Sequence, residues 1–402
     1  MNSKEFAKRI SDLSVLRRIP FDHSVKEALF VFTISRVIIF AIAVIVGQVA
    51  VNTEGKHFYQ DILDPVISFD KAPVGRKLRQ AMARGDASWY CAVAEDGYEH
   101  QPFEVAQHKW AFFPLYPLTL RLAATITGEY LVTGAVLSNL FFFLAIVLLH
   151  KLVGEWGYDT LVADRSIFYL AIYPTSYFFS LSFTESLFLL LTVASFLAAR
   201  RERWWWASVL GALASATRSG GVLLLPALAV YNLMRYRSWR PRKLLPLLLI
   251  PLGLVAFMVY LKIITGNAWA FREVQAAWGR QSGFFLTPLL EYLKKPADVA
   301  FPWNPMLLNF AAALMAFGCA YYLMKRREWA LGLYTLLSVI VPLSSLSLQS
   351  LARYMSVVFP IFIVLALWGK SPRVDQTIRV VFIVLFALMT ALWAAHVSLA
   401  LS

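Results

Sequence analysis

The segment GDASWYCAVAEDGY, which begins at Gly85, places an acid among aromatic residues in a mostly apolar chain. If the segment is helical, Trp89 and Tyr90 follow Asp86 at three and four positions, so the acid and the rings share one face. Gly97 is then a natural end for the helix. An interfacial helix explains the aromatic residues but not the acid beside them. A carboxylate near a low-dielectric boundary has the chemistry of a general base, which removes the proton from an attacking hydroxyl group.

Three more charged residues stand at the ends of apolar runs: Glu185 in FTESLF, Arg218 in TRSGG and Arg353 in SLARYMSVVFP. An ionised side chain costs on the order of 2.5–3.5 kcal/mol at the centre of a bilayer and less at its boundary, so such groups usually face a bundle interior or a cavity. We expect these residues and Asp86 to form one polar site. Taken singly, each has a structural alternative, as a helix-end anchor, a macrodipole partner or a cap. Arg36, midway along the first run, is interpreted as a structural partner of a polar group.

The composition indicates a polytopic membrane protein. Of 402 residues, 59% are hydrophobic and 15% are charged, whereas soluble domains carry about 25% charged residues. The net charge of +14 comes from lysines and arginines in short clusters between apolar runs. That distribution indicates membrane topology rather than a basic patch for nucleic acid. The lipid bilayer is therefore an expected partner, and nucleic acid is not.

Apolar runs recur along the chain, and each can cross a hydrocarbon layer of roughly 30 Å as a helix, which satisfies its own backbone hydrogen bonds. The sequence predicts an all-α bundle of about eleven transmembrane helices. The runs are residues 26–50, 130–150, 165–183, 185–199, 204–217, 220–234, 244–264, 303–324, 329–345, 354–368 and 377–400.

Basic clusters predict the orientation of this bundle. With a cytoplasmic N-terminus, the basic leader of residues 1–25 and the clusters RRER, RYRSWRPRK and KRRE all face the cytoplasm. The leader lacks the apolar core and cleavage site of a secretory signal, so the first run is expected to be retained. Residues 26–402 then form a single transmembrane domain. Its two longer segments, residues 51–128 and 265–302, are expected on the extracytoplasmic face.

The stretch AFFPLYPLTLRLAATITG, residues 111–128, is apolar enough to be a span but contains Pro114, Pro117 and a central Arg121. If this stretch were a span, the basic clusters after it would lie on the extracytoplasmic side, against the positive-inside rule. We therefore interpret it as an interfacial or re-entrant helix on the outer face.

Five motifs carry a resemblance to a known family. GDASWYCAVAEDGY, AFFPLYPLTLR, TESLFLLL, TRSGGVLL and ARYMSVVFP, in this order and with these separations, resemble the PIG-V type of mannosyltransferase, from roughly Arg84 to Pro360. The resemblance implies a GT-C-type bundle with outer-face juxtamembrane helices. It also implies an inverting transfer of a sugar, mannose in this family, from a polyprenyl or dolichyl phosphate. One departure is Gly85, where the family commonly has an aromatic residue.

The resemblance also implies roles for individual residues. Asp86 is the expected general base. A lipid phosphate leaves as an anion, which the planar guanidinium of an arginine stabilises well, so Arg218, Arg353 and Arg121 are candidates for binding it. The residues expected to line or support the site are Trp89, Tyr90, Phe113, Pro114, Tyr116 and Glu185.

The sequence lacks the motifs of nucleotide-dependent transfer. It contains no Asp-x-Asp pair, Walker loop or GxGxxG fingerprint, which disfavours a nucleotide-sugar donor. His100 and His108 share a loop with carboxylates but have no clear third ligand, so we expect no cofactor and a metal-independent reaction. Cys91 lies in the first outer segment and Cys319 lies within an apolar run, so no disulfide between them is expected.

The second outer segment carries Trp269, Arg272, Trp278 and Arg280. Aromatic faces suit sugar rings and arginines suit phosphates, so this segment is a candidate lid over the site. A plain interfacial helix is the alternative.

Two other functions fit a charged, multi-span chain. A transporter or flippase for lipid-linked sugars should hold its site near mid-membrane between repeated halves, whereas no repeat is visible here and the charges gather at one face. A non-catalytic assembly subunit has no need of Asp86. The acceptor, whether lipid, glycan or protein, is left open.

Overall fold

The computed structural model describes residues 21–51, 67–69, 79, 81–236, 241–296 and 306–395. Most of the basic leader 1–25 lies outside these residues. So do most of the first part of outer segment 51–128, the middle of the RYRSWRPRK cluster and the end of outer segment 265–302.

The described chain is a helical bundle, which confirms the predicted class. One small departure from all-α is an antiparallel pair of three-residue strands, β1 (Val49–Val51) and β2 (Ile67–Phe69). The helices in chain order are α1 (Phe21–Gln48), α2 (Asp86–Asp96), α3 (Leu115–Thr127), α4 (Tyr130–Trp156), α5 (Thr160–Ala171), α6 (Glu185–Arg200), α7 (Trp204–Thr217), α8 (Leu224–Tyr236), α9 (Pro241–Leu244), α10 (Leu252–Thr265), α11 (Ala270–Glu273), α12 (Thr287–Lys294), α13 (Met306–Lys325), α14 (Trp329–Leu343), α15 (Leu351–Ser356), α16 (Pro360–Trp368) and α17 (Pro372–Ala394).

Five helical stretches of the described chain are long and apolar enough to cross a membrane, so the count of about eleven spans is not confirmed. Prolines shorten two of the predicted runs. Run 165–183 is helical only as far as Ala171, since the residue before Pro174 is disfavoured in a helix, and run 354–368 divides before Pro360. The five stretches are His23–Val46, Tyr130–Trp156, Arg242–Thr265, Met306–Lys325 and Pro372–Ala394.

Helix α3 does not span. Its 13 residues extend about 20 Å, well short of a hydrocarbon layer of about 30 Å. Pro114 stands at its N-cap, and Gly128 ends it with φ +70°. Leu122 and Ile126 are exposed while Leu120 is fully buried, so one apolar face is left for lipid. These observations agree with the interfacial helix predicted for residues 111–128.

Close backbone contact holds the central helices together. Helix α6 packs against α4 and α7, and α7 packs in turn against α10. A Cβ atom on Gly253 would lie 2.1 Å from the carbonyl oxygen of Ala212, so only glycine permits this α7–α10 crossing. Small residues serve this purpose in membranes because packing, rather than the hydrophobic effect, drives helix association there.

Arg36 of α1 stabilises the segment between α5 and α6, where the chain leaves the helix. Its guanidinium donates to Ser176 Oγ at 2.7 Å and Ser180 Oγ at 2.9 Å, and to the carbonyl oxygen of Ala171 at 3.4 Å. Ala171 ends α5, where carbonyl groups have lost their helical partners. Arg36 is thus the structural partner that the sequence predicted.

The directions of two helices show which charged residues lie at which end of the bundle. Helix α6 runs from Glu185 to Arg200, and α7 returns from the residue after Arg203 to the residue before Arg218. Glu185 and Arg218 therefore lie at one end of the bundle and the RRER cluster lies at the other.

Candidate active site

Helix α2 presents Asp86 at its first residue, as the segment's spacing predicts. Gly97 ends the helix with φ +81° and donates its N–H to the carbonyl oxygen of Val93. Tyr90 is buried and Trp89 is half-buried on the side that faces the bundle. The helix therefore packs against the bundle through its aromatic face, and this packing fixes the position of Asp86.

Gly85 enters this helix with φ +62° and ψ −140°, a backbone conformation that side chains with a Cβ avoid. This turn accounts for a glycine at the position where the resemblance implies an aromatic residue, because a residue with a Cβ requires a different entry into the helix. Support for Asp86 comes instead from the bundle.

Gly85→Ala should lower the free energy of unfolding by about 1–3 kcal/mol because it strains the turn before Asp86. The control is Gly318→Ala, in helix α13, where an added Cβ meets nothing within 4 Å. Thermal unfolding in detergent measures both. Equal melting temperatures for the two variants would show that the turn carries no such strain.

Four charged residues join in one chain of ion pairs. Arg353 donates from Nη1 to Asp86 Oδ2 at 2.6 Å and from Nε to Glu185 Oε1 at 2.5 Å. Arg218 donates from Nη1 to the same Glu185 oxygen at 2.9 Å. The exposed fractions of the side chains are 36% for Asp86, 20% for Arg218, 6% for Arg353 and 0% for Glu185. Asp86 and Arg218 are therefore the members within reach of a substrate.

Aromatic rings fix the two arginines in place. The Arg353 guanidinium lies 4.5 Å from the ring centre of Phe183 and 4.8 Å from that of Phe178. The Arg218 guanidinium lies 4.9 Å from the ring centre of Tyr354. Cation–π contacts of this kind stabilise a guanidinium that has lost water.

Tyr354 brings a third arginine to the site. Arg280, from the second outer segment, donates from Nη2 to the Tyr354 hydroxyl at 2.7 Å. Three guanidinium groups then face two carboxylates, so the cluster carries a net charge of +1. An excess positive charge at the end of a membrane bundle suits an anionic ligand.

Three aromatic rings form a cluster around Trp89, three residues after Asp86 on α2. Trp89 stacks on Phe112 with centroids 5.5 Å apart, and Trp278 meets Trp89 edge-on at 6.0 Å. The second outer segment thus reaches the site through Trp278 and Arg280. Its other candidates lie elsewhere: Trp269 is 48% exposed, and Arg272 bonds to Ser282.

Several expected site residues have packing roles. Tyr116 is buried, donates to the carbonyl oxygen of Gly134 at 3.0 Å and packs edge-on against Tyr90. Phe113 packs against Phe257 at 5.0 Å, away from the ion pairs, and Pro114 caps α3. These residues support the helices that hold Asp86.

Arg121 does not join the cluster. It is exposed on α3, and no ion pair links it to another residue in the described ranges. The structure therefore brings together Asp86, Glu185, Arg218 and Arg353 of the predicted charged residues, but leaves Arg121 outside.

The cysteines and outer-loop histidines do not form a reactive centre. Burial raises the pKa of the Cys91 thiol to about 11, which keeps it protonated near neutral pH. Both cysteines are free, in agreement with the prediction of no disulfide. His108 stacks on Trp110 and contacts Glu104, whereas His100 lies near Tyr260, so the two histidines have separate surroundings.

Sequence reasoning missed Phe112, Tyr354 and the two rings that enclose Arg353. Phe112 and Phe113 are identical neighbours, and only the end of the preceding 3-10 turn (Lys109–Ala111) determines which faces Trp89. Tyr354 was visible only as the residue after Arg353. No sequence signal marks it as the point where three arginines meet.

Comparison with solved structures finds weak likenesses to an oligosaccharyltransferase from Archaeoglobus fulgidus. Its apo form is 13% identical, with a TM-score of 0.44, over 93% of this chain and 55% of that chain. Its complex with an inhibitory peptide and a dolichol-phosphate is 13% identical, with a TM-score of 0.42 and the same coverage.

Curated relatives are similar over part of their length. The GPI alpha-1,6-mannosyltransferase 2 of Cricetulus griseus is 31% identical over 156 residues, which are 35% of this chain and 30% of that protein. The human protein of that name is 28% identical over 218 residues, 51% of this chain and 42% of that protein. The match thus spans less than half of these relatives.

The model of the mannosyltransferase (PIG-V) family matches residues 25–280, more than half of the chain. The match includes Asp86, Glu185, Arg218 and Arg280, but ends before the ARYMSVVFP motif around Arg353. The family and the apolar helices make this an integral multi-pass membrane protein. The chain belongs to the mannosyltransferase (PIG-V) family.

Proposed function

We propose that this protein is an inverting membrane mannosyltransferase that moves mannose from a polyprenyl, dolichyl-type phosphate to an acceptor hydroxyl group. The observation that carries the proposal is the half-exposed carboxylate of Asp86, held at 2.6 Å by Arg353 within a cluster of net charge +1. A base and an anion-binding group are the two parts that this transfer needs. The names of the curated relatives support mannose as the sugar.

Asp86 is the proposed general base. Its Oδ2 accepts from Arg353, while Oδ1 makes no hydrogen bond with a described residue. In the proposed step Oδ1 takes the proton of the acceptor hydroxyl as that oxygen bonds to the anomeric carbon. The bond from this carbon to the phosphate oxygen breaks, and polyprenyl phosphate leaves as an anion.

Arg218 and Arg280 are the proposed phosphate ligands. Arg218 donates from Nη1 to Glu185, and Arg280 donates from Nη1 to Gln275 and from Nη2 to Tyr354. The Nε atoms of both arginines make no hydrogen bond with a described residue, and both guanidinium groups lie over the ring of Tyr354. Arg353 is nearly buried, and both of its bonds go to carboxylates. We therefore assign Arg353 to positioning Asp86 rather than to binding phosphate.

The position of Glu185 supports inversion. Retention by double displacement needs a second carboxylate that attacks the anomeric carbon. Glu185 is fully buried, and its Oε1 accepts from two arginines, so it has no path to the sugar. One accessible carboxylate suits a single displacement.

The ring cluster of Trp89, Phe112 and Trp278 is the proposed sugar platform. Aromatic faces pack against the C–H face of a hexose, and this cluster begins three residues from Asp86 on the same helix.

The position of the charges disfavours the transporter reading. Glu185 begins α6 and Arg218 follows the end of α7, so the cluster lies at helix ends and not midway along them. The RRER cluster lies at the opposite end. By the positive-inside rule, this arrangement supports a cytoplasmic N-terminus and an extracytoplasmic site as parts of the proposal.

The decisive experiment uses the purified full chain in lipid nanodiscs with synthetic polyprenyl-phosphate mannose and a panel of lipid, glycan and peptide acceptors. We expect mannosylated product, with inverted configuration by NMR, in the presence of EDTA. Nucleotide-linked mannose should give none. Turnover of GDP-mannose, or retention of configuration, would contradict the proposal.

Arg280→Ala should weaken binding of the phosphate donor by roughly 10- to 100-fold, since a hydrogen bond to a charged group contributes about 1.5–3 kcal/mol. Arg218→Ala should have a similar effect. The matched control is Arg272→Ala, on the same outer segment, where the arginine side chain hydrogen-bonds only to Ser282 among the described residues. Donor affinity is measured with a fluorescent polyprenyl phosphate, and equal affinity in the Arg280 and Arg272 variants would remove the assignment.

A further inference from the structure

A second polar cluster lies away from the proposed active site. His23 is near the start of α1, His150 is near the end of α4 and Asp164 is in α5. His150 is 12 residues, or about 18 Å, further along α4 than Ser138, whose hydroxyl contacts the carbonyl oxygen of Phe183 beside Arg353. The proposed transfer does not use this cluster.

The three side chains converge on one point. The Nε2 atom of His150 lies 2.8 Å from Asp164 Oδ1, and the Nε2 atom of His23 lies 3.2 Å from the same oxygen. All three atoms lie within 4.8 Å of one another. Ligands of a tetrahedral zinc ion with bonds of about 2.0–2.1 Å are about 3.3–3.4 Å apart. Both nitrogen–oxygen distances are within about half an ångström of that spacing. The two nitrogen atoms, no more than 4.8 Å apart, would need to approach each other by about 1.4 Å at most.

A further contact orients the buried ligand. The Nδ1 atom of His150 lies 3.0 Å from Ser24 Oγ, and both side chains are fully buried. Metal-bound histidines commonly use the second ring nitrogen in this way, because that bond fixes the ring and leaves the first nitrogen free for the metal. Ser24 adjoins His23 in the chain, so one turn of α1 supplies a ligand and its support.

The cluster is also accessible. The exposed fractions of the His23 and Asp164 side chains are 40% and 28%, whereas that of His150 is zero. One side of the cluster is therefore exposed at the end of the bundle, where an ion can enter and a water molecule can complete four-coordination.

We propose that His23, His150 and Asp164 form a binding site for a divalent transition-metal ion, with Zn²⁺ the best fit. Two imidazoles and one carboxylate suit zinc and cobalt, whereas Mg²⁺ prefers oxygen ligands alone. The ion joins α1 to α4 and α5 at the end of the bundle opposite the ion-pair cluster. Its role is to stabilise that junction, separately from sugar transfer.

The test measures zinc binding to the full chain, purified without a polyhistidine tag, stripped with chelator and reconstituted in nanodiscs. Equilibrium dialysis with elemental analysis should give one Zn²⁺ per chain and no saturable Mg²⁺ at this stoichiometry. Zn²⁺ at 100 times its Kd should raise the melting temperature by roughly 5 °C. Co²⁺ should give the strong visible absorption of a four-coordinate site.

His23→Ala and Asp164→Asn should each weaken Zn²⁺ binding at least tenfold, and Ser24→Ala roughly 10- to 100-fold. His23 is partly exposed, so its replacement leaves the bundle intact. The matched control is His100→Ala in the outer loop, which should bind as wild type does. The absence of saturable Zn²⁺ binding, or equal binding by the His23 and His100 variants, would overturn the proposal and leave a plain hydrogen-bonded triad.

Discussion

Asp86→Asn should lower the rate of mannose transfer by about 10²- to 10⁴-fold while donor affinity stays within about twofold of wild type. Asparagine has the shape of aspartate and can still accept from Arg353, but it cannot take a proton from the acceptor. Single-turnover rates with polyprenyl-phosphate mannose, together with donor binding, measure the two effects separately.

The control for this variant is Glu95→Gln. Glu95 lies on the same helix α2 but is exposed. The Glu95→Gln variant should transfer mannose at the wild-type rate. If the Asp86 variant turned over at a similar rate, Asp86 would not be the base. If it lost donor binding as well, the acid would instead serve to hold Arg353.

Glu185→Ala should lower the free energy of unfolding by about 3–5 kcal/mol, because it leaves the nearly buried guanidinium of Arg353 without one of its two partners. Arg218 loses its carboxylate partner as well. The melting temperature in detergent should therefore fall sharply.

Glu155→Ala is the matched control for this second variant. Glu155 also pairs with an arginine, Arg201, but the two side chains are 35% and 44% exposed. Removing an exposed pair costs about 1 kcal/mol or less. Equal falls in melting temperature would show that the buried ion-pair chain does not hold the helices together.

Much of the fold was predictable from the sequence because apolar length and proline position determine helices locally. The helix Asp86–Asp96 follows from residue spacing and from Gly97 after it, and the short α3 follows from its prolines together with the positions of the basic clusters. The family resemblance is also confirmed, since the mannosyltransferase model matches residues 25–280. The count of about eleven spans is not confirmed, because run 165–183 leaves the α-helix at Ala171, ahead of Pro174, and overall apolar length does not reveal such a break.

The candidate site was predictable as a set of helix-end charges but not as a geometry. Glu185, Arg218 and Arg353 stand at run boundaries, which placed them at one end of the bundle. Sequence position does not show that Arg353 bonds to Asp86, or that Arg121 points to the exposed face of α3. Such contacts depend on the rotation of each helix about its axis, which side-chain packing determines.

The bond between Arg353 and Asp86 joins residues 267 positions apart in the chain. Chains are synthesised from the N-terminus, so Asp86 enters the membrane long before its partner exists. Glu185 is also synthesised before Arg353, and Arg218 is the first of its two arginine partners to be added. A ribosome that stalls before residue 353 would release a bundle whose acid is neither oriented nor neutralised. Only a chain that extends past residue 353 can assemble the site, which keeps the proposed transfer off until that residue has been added.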